Sequence, residues 1–80
     1  MEWVVYILKC ADDTLYTGIT NDLPARIAAH ESGKGAKYTR GRGPFALVYS
    51  EGCEDRSLAC KREMAIKLLS REEKLRLCGG

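Results

Sequence analysis

Two short apolar segments joined by a three-residue turn constrain the fold of this chain more than any other feature of its sequence. Residues 3–10, WVVYILKC, are β-branched or aromatic on both alternating faces, which is typical of a central strand covered on each side. Residues 14–20, TLYTGIT, alternate in the manner of a strand with one face toward a helical layer. Because only residues 11–13 separate the two segments, we expect a β-hairpin.

The rest of the chain predicts three helices and one more strand. Residues 22–32 fit a first helix, with a capping residue at its start and a glycine after its end. FALVYS at 45–50 fits a third strand, a second helix begins at Glu54, and the S-x-x-E pattern at 70–73 starts a third helix. The order β-β-α-β-α-α is too short for a doubly wound parallel sheet. It predicts an α+β fold, a small and mostly antiparallel three-stranded sheet flanked by helices.

Length and composition limit the class of protein. A chain of 80 residues suffices for one domain with a modest core, so we assign 1–80 to a single domain with 78–80 as a flexible tail. The longest apolar run, 3–8, is far shorter than the ~18–20 residues that span a bilayer, and we expect a cytoplasmic protein with no membrane partner. The four cysteines include no C-x-x-C pair and there is one histidine, which predicts reduced, partly buried thiols.

The formal net charge of +2 conceals a basic, glycine-rich loop at 33–43, GKGAKYTRGRG, that contains no acidic residue. The loop carries four cations and one aromatic residue, namely Lys34, Lys37, Arg40, Arg42 and Tyr38. Such a loop is typical of a nucleic-acid-binding segment, in which cations contact phosphates and an aromatic ring stacks on a base. A solvated loop that only aids solubility is the alternative, and the sequence leaves both interpretations open.

Two tyrosines of the predicted hairpin share one face. A turn of three residues places Tyr6 opposite Gly18 and sets Tyr16 diagonally beside it. A glycine across from a tyrosine leaves open space, which is how a sheet admits a ligand or another backbone. Aromatic core packing is the alternative for the tyrosine pair.

Three further polar residues lie on helices. Arg26 and His30 are four residues apart, so a guanidinium suited to phosphate oxygens lies beside a titratable imidazole. Glu63 borders the apolar stripe of the second helix, where a carboxylate can bind a hard divalent ion. An exposed surface pair is the alternative for the first two residues, and a salt bridge to Arg62 or Lys67 is the alternative for Glu63.

Taken together, these residues resemble the motifs of the GIY-YIG endonuclease superfamily, in the right order along almost the whole chain. The two signature segments correspond to VVY at 4–6 and YTG at 16–18. Arg26 and His30 fall on the helix that follows the second motif, and Glu63 falls where the family has its metal-binding glutamate. The GKGAKYTR loop and the end of the chain soon after the third helix are similar to a short, stand-alone bacterial branch.

The resemblance implies a metal-dependent endonuclease that hydrolyses phosphodiesters. Glu63 would hold one Mg²⁺ or Mn²⁺, Arg26 would steady the scissile phosphate, and Tyr6 or Tyr16 would help to activate water. His30 is the rival base or a proton carrier. The resemblance also implies DNA, rather than RNA, as the partner, a setting in DNA repair or recombination, and a protein partner that supplies specificity.

The chain also departs from the family pattern. The Gly-Ile of the first signature is Val4-Val5 here, Thr17 replaces the middle isoleucine of the second, and Asn21 is the only asparagine, whereas the family commonly has one late in the domain. These departures motivate an alternative, a non-catalytic nucleic-acid binding module that retains the nuclease fold. A third interpretation is a protein-interaction domain in which the second and third helices present Leu75, Arg76 and Leu77 to a partner.

Overall fold

The computed structural model describes residues 2–35 and 39–79, and these form three strands and three helices in the predicted order. The strands are β1 (Trp3–Lys9), β2 (Leu15–Thr20) and β3 (Ala46–Cys53), and the helices are α1 (Leu23–Glu31), α2 (Arg56–Lys67) and α3 (Arg71–Leu77). All strand pairs are antiparallel in the order β2-β1-β3, so the predicted α+β class is confirmed.

β1 is the central strand because it is apolar on both faces. Val5, Tyr6, Ile7 and Leu8 are all fully buried. Side chains alternate across a strand, so Val5 and Ile7 face one layer while Tyr6 faces the other. Val5 and Ile7 pack with Ala59 and Ile66 of α2, whereas Tyr6 contacts α1. Helices therefore cover both faces of the sheet at β1.

β3 is longer than the sequence predicts. It runs over Ala46–Cys53 rather than 45–50, because its last residues pair with the start of β1, with Cys53 opposite Trp3. A bulge at Val48 shifts the register between Ile7 and Leu8. Pairing with β1 therefore extends this edge strand beyond the residues that the apolar pattern predicts.

Local capping fixes the helix ends. The Asp22 side chain accepts from the Ala25 amide at the start of α1, and Asp55 caps α2, which begins two residues later than Glu54. Ser70 and Glu73 form the predicted capping box of α3.

The end of α3 packs against the core. Leu77 and Cys78 are both half-buried and lie against the buried cluster, so each has part of its side chain in the core rather than in solvent. Cys78, Cys10, Cys53 and Cys60 are free thiols, as the spacing predicts. None of the helices in the described part of the chain has the length and apolar character that crossing a bilayer requires.

Candidate active site

The hairpin positions the two tyrosines as the sequence predicts. Tyr6 pairs with Gly18 and Leu8 pairs with Tyr16, so the phenols of Tyr6 and Tyr16 lie diagonally on the face that α1 covers. Their ring centroids are 6.3 Å apart and the rings are tilted by 49°. The alternation of side chains along β1 and β2, together with their pairing register, is therefore sufficient to bring these two side chains together.

The space above Gly18 is filled by Tyr6 itself. A Cβ atom at Gly18 would lie 2.6 Å from the Tyr6 hydroxyl oxygen and 3.0 Å from Cε2 of Tyr16. The glycine thus lets the Tyr6 ring cross over the backbone of β2, rather than leaving a gap for a ligand. Only a residue without a side chain fits this position.

His30 is buried against this pair rather than exposed on a surface. It is 1% exposed, its Nε2 lies 2.9 Å from the Tyr6 hydroxyl, and its Nδ1 lies 2.8 Å from Oγ1 of Thr39. Burial is the main reason that the pKa of His30 is lowered, and the charge of Arg26 contributes in the same direction. His30 is therefore a neutral imidazole at neutral pH with both ring nitrogens hydrogen-bonded.

Arg26 lies one turn earlier on α1, with its guanidinium within hydrogen-bonding reach of Tyr6 and Tyr16. Burial raises the pKa of Tyr6 and is the largest influence on it, while the hydrogen bond from Arg26 opposes that effect. Tyr6 is thus a neutral phenol in the free protein, and a guanidinium alone does not suffice to ionise it. The hydrogen bond to Tyr6 is likewise the main reason that the pKa of Arg26 is raised.

Three hydroxyl and imidazole groups form one continuous hydrogen-bonded chain. If the Tyr6 hydroxyl donates to Nε2 of His30, then Nδ1 carries the proton and donates to Thr39. If Nε2 carries the proton and donates to Tyr6, then the Thr39 hydroxyl must donate to Nδ1. A Tyr6 phenolate would require a proton on Nε2, either in this second tautomer or in an imidazolium whose Nδ1 also donates to Thr39. Thr39 can both donate and accept, so it supports either tautomer.

Thr39 is the site residue that sequence reasoning missed. It is 1% exposed although it lies in the glycine-rich loop, which both interpretations of the sequence place at the surface. The sequence offers only an indirect signal, because a buried histidine needs a polar partner for each ring nitrogen. That requirement does not indicate which residue of the chain supplies the partner.

Glu63 lies at the periphery of this cluster. Its helix, α2, packs on the face of the sheet opposite to α1. The negative charge of Glu63 nevertheless raises the pKa of Tyr6, although it is the smallest of the influences on that pKa. Its side chain is 20% exposed, and one oxygen lies 3.5 Å from Nζ of Lys67. Arg62, the other possible partner, instead pairs with Glu51.

The basic loop is only partly described. Lys37 and Tyr38 lie outside the described residues, while Lys34 and Arg40 are exposed. Arg42 forms an ion pair with Asp12 of the hairpin turn, and its carbonyl accepts from the Ala11 amide at 2.8 Å. The loop is thus attached to the hairpin at Arg42, which leaves Lys34 and Arg40 as its described exposed cations.

The arrangement of motifs is matched by known proteins. The family model of the GIY-YIG catalytic domain matches residues 2–76. The chain belongs to the GIY-YIG family. It is 60% identical over 73 residues to the UPF0213 protein CPE1444 of Clostridium perfringens, with 91% of this chain and 78% of that protein covered.

Two solved structures share the fold. The solution structure of the UPF0213 protein BH0048 from Bacillus halodurans has a TM-score of 0.63 and 49% identity, covering 99% of this chain and 84% of that one. The protein EF2693 from E. faecalis has a TM-score of 0.65 and 36% identity, covering 96% and 83%. The chain is thus similar to UPF0213 proteins, a small stand-alone GIY-YIG family.

The donor set of this GIY-YIG chain fits a weakly held hard cation. Among residues 2–35 and 39–79, no group of three His, Cys, Asp or Glu side chains could form a protein cage around a metal ion. Glu63 offers one partly exposed carboxylate. A single carboxylate fits Mg²⁺ or Mn²⁺ when water and substrate oxygens complete the coordination, with Lys67 as a competitor for the same oxygens.

Proposed function

We propose that this GIY-YIG chain is a metal-dependent nuclease that hydrolyses phosphodiester bonds in DNA, within repair or recombination. The observation that carries the proposal is the convergence of Tyr6, Arg26 and His30 beside Tyr16, with Tyr6 hydrogen-bonded to His30, over a glycine that admits no side chain. Core packing alone does not require polar groups from two strands and a helix to meet at one point.

Each residue has a proposed role that follows from its exposure and partners. Arg26 binds the scissile phosphate through a guanidinium that already lies against both phenols. Tyr16 is half-buried whereas Tyr6 is fully buried, so we assign the contact with the attacking water to Tyr16. His30 positions Tyr6 and accepts or returns its proton at Nε2.

Glu63 would hold the divalent cation, which when bound supplies positive charge beside the phosphate. The Lys67 ammonium already neutralises part of this carboxylate in the free protein. Binding of a divalent cation would therefore have to displace the Lys67 ammonium from Glu63.

A cleavage assay tests the proposal. Purified protein is incubated with labelled single-stranded, nicked and branched DNA in Mg²⁺ or Mn²⁺, and we expect cleavage of at least one form. Glu63→Gln and Arg26→Ala should each reduce the rate by about 100-fold or more, as loss of a transition-state contact does. Glu54→Gln removes an exposed carboxylate near the start of α2 and is the matched control. Absence of cleavage, or full activity of Glu63→Gln, contradicts the proposed roles.

A non-catalytic nucleic-acid binding module is the second candidate. It is favoured by the complete burial and raised pKa of Tyr6 and by the pairing of Glu63 with Lys67. This candidate predicts salt-sensitive DNA binding without cleavage in either metal. Binding measured in the same buffers as the cleavage assay separates the two functions.

A further inference from the structure

A groove lies along the outer edge of the sheet, beside the tyrosine cluster. Because the strand order is β2-β1-β3, β2 is an edge strand. A groove of about 420 Å³ lies between β2 and the two C-terminal helices. It is lined by Leu15, Tyr16, Thr17, Lys67 and Lys74.

A second depression continues the groove away from the cluster. It has a volume of about 200 Å³ and is lined by Thr14, Leu15, Arg71 and Lys74. Leu15 and Lys74 line both depressions, so the two form one channel along β2. Tyr16 lies at one end of this channel, and the start of α3 lies at the other.

The charged residues that line this channel are all cations. Lys67 comes from the last turn of α2, and Arg71 and Lys74 come from α3. The acidic residues of α3 are engaged elsewhere, since Glu72 pairs with Arg76 and the Glu73 side chain accepts from the Ser70 amide. Within residues 2–35 and 39–79, neither Arg71 nor Lys74 belongs to an ion pair.

We propose that this channel binds the sugar-phosphate backbone of the nucleic-acid strand beyond the scissile phosphate. The inference rests on the proposed function, since Arg26 contacts Tyr16 and Tyr16 lies at the end of the channel. A phosphate held by Arg26 is thus followed along one strand by phosphates that lie against Lys67, Lys74 and then Arg71. A positively charged channel next to an aromatic ring is the arrangement that tracks a single strand without reading its sequence.

Lys67 connects the channel to Glu63. Its ammonium lies 3.5 Å from the Glu63 carboxylate, and the same residue lines the groove. A backbone phosphate that binds Lys67 competes with Glu63 for the ammonium group. Strand binding in the channel therefore frees the carboxylate that the proposed nuclease requires.

Binding in EDTA tests this proposal without turnover. The affinity of a labelled single-stranded oligonucleotide is measured by fluorescence anisotropy at several salt concentrations. Arg71→Ala and Lys74→Ala should each weaken binding roughly fivefold at 0.1 M salt and reduce the log–log salt slope by about 0.7, as expected for one lost phosphate contact on a single strand. Arg76→Ala is the matched control, because it removes the same charge from the same helix outside the channel.

The outcomes separate the channel from the proposed function. If wild type binds and Arg71→Ala and Lys74→Ala behave like Arg76→Ala, the channel is overturned while the nuclease proposal stands. If wild type binds no oligonucleotide, the channel is overturned, and the cleavage assay in Mg²⁺ or Mn²⁺ decides the nuclease proposal separately. In a parallel NMR titration of the wild-type chain, the amide signals of Leu15 and Thr17 should shift on binding, and unchanged signals there also overturn the channel.

Discussion

At the residue scale, the buried chain of Tyr6, His30 and Thr39 joins the central strand to the loop before β3. The three side chains are 0%, 1% and 1% exposed, so each polar atom depends on its neighbour in the chain rather than on solvent. Gly35 lies against the same chain, because a Cβ there would come within 2.3 Å of Nδ1 of His30. Small changes at these positions should therefore affect stability strongly.

Gly18→Ala should destabilise the protein and disturb the cluster. The added Cβ would come within 2.6 Å of the Tyr6 hydroxyl, and the ring must move away from His30. We expect a loss of about 1–3 kcal/mol in the free energy of unfolding, measured by urea denaturation. Gly52→Ala is the matched control on β3, since its Cβ would meet only a Glu2 side-chain oxygen at 3.6 Å. Equal stability of the two variants would contradict the close packing over Gly18.

Burial of His30 predicts a dependence of stability on pH. Its pKa is lowered in the folded protein, so between about pH 6.5 and that lower pKa the unfolded state binds more protons. The free energy of unfolding should therefore fall as the pH falls below about 6.5, by at most about 1.4 kcal/mol per pH unit from this residue.

The comparison is made by urea denaturation from pH 7.5 to 5.5 on the wild type and on His30→Gln, which cannot titrate. The variant should show a flatter profile whatever its absolute stability. If the wild type and His30→Gln showed the same dependence on pH, a group other than His30 would be titrating in this range.

At the element scale, α3 is a helix of only seven residues that depends on its ends. Helices this short are marginal in isolation, so the capping box and the packing of Leu77 against the core must hold it in place. The Glu73 amide donates to the Ser70 hydroxyl at 3.1 Å, and the Ser70 amide donates to the Glu73 carboxylate at 3.0 Å. The cap also positions Lys74 beside β2.

Ser70→Ala should lower the free energy of unfolding by about 1 kcal/mol, because it leaves an amide at the start of α3 without its side-chain acceptor. Ser57→Ala replaces an exposed serine inside α2 and should change stability by no more than about 0.5 kcal/mol. Thermal unfolding followed by circular dichroism measures both. If Ser57→Ala proved as harmful as Ser70→Ala, the cap would not be what stabilises α3.

At the scale of the whole molecule, cations lie on both sides of the tyrosine cluster but are not equivalent. Arg40 is exposed on the loop, whereas Arg42 pairs with Asp12 across 30 residues of sequence. The ion pair and the Ala11–Arg42 backbone hydrogen bond attach the loop to the hairpin turn. A cation that is already neutralised contributes less to counterion release than an exposed one.

Arg40→Ala should therefore reduce the salt slope of DNA binding by about 0.7 to 0.9, whereas Arg42→Ala should reduce it by less than half as much. Asp12→Asn should have the opposite effect, because it removes the carboxylate charge that is paired with Arg42. Fluorescence anisotropy over a range of salt concentrations measures all three variants. Identical slopes for Arg40→Ala and Arg42→Ala would exclude this difference between the two arginines.

The sequence by itself determined the features that depend on spacing within one element or one hairpin. The three-residue turn sets Tyr6 opposite Gly18, the i,i+4 spacing sets Arg26 beside His30, and the S-x-x-E pattern at 70–73 sets the cap of α3. These follow from the fixed periods of strands and helices and from local hydrogen bonds, which are the same in any fold.

Only the tertiary structure decided what surrounds those residues. The Tyr6 ring fills the space over Gly18, Thr39 completes the bonding of His30, and Arg42 is held by Asp12. The channel along β2 exists because side chains of α2 and α3 lie beside an edge strand. Such contacts join distant segments, and side-chain periodicity carries no information about which segments pack together or which polar groups lose contact with water.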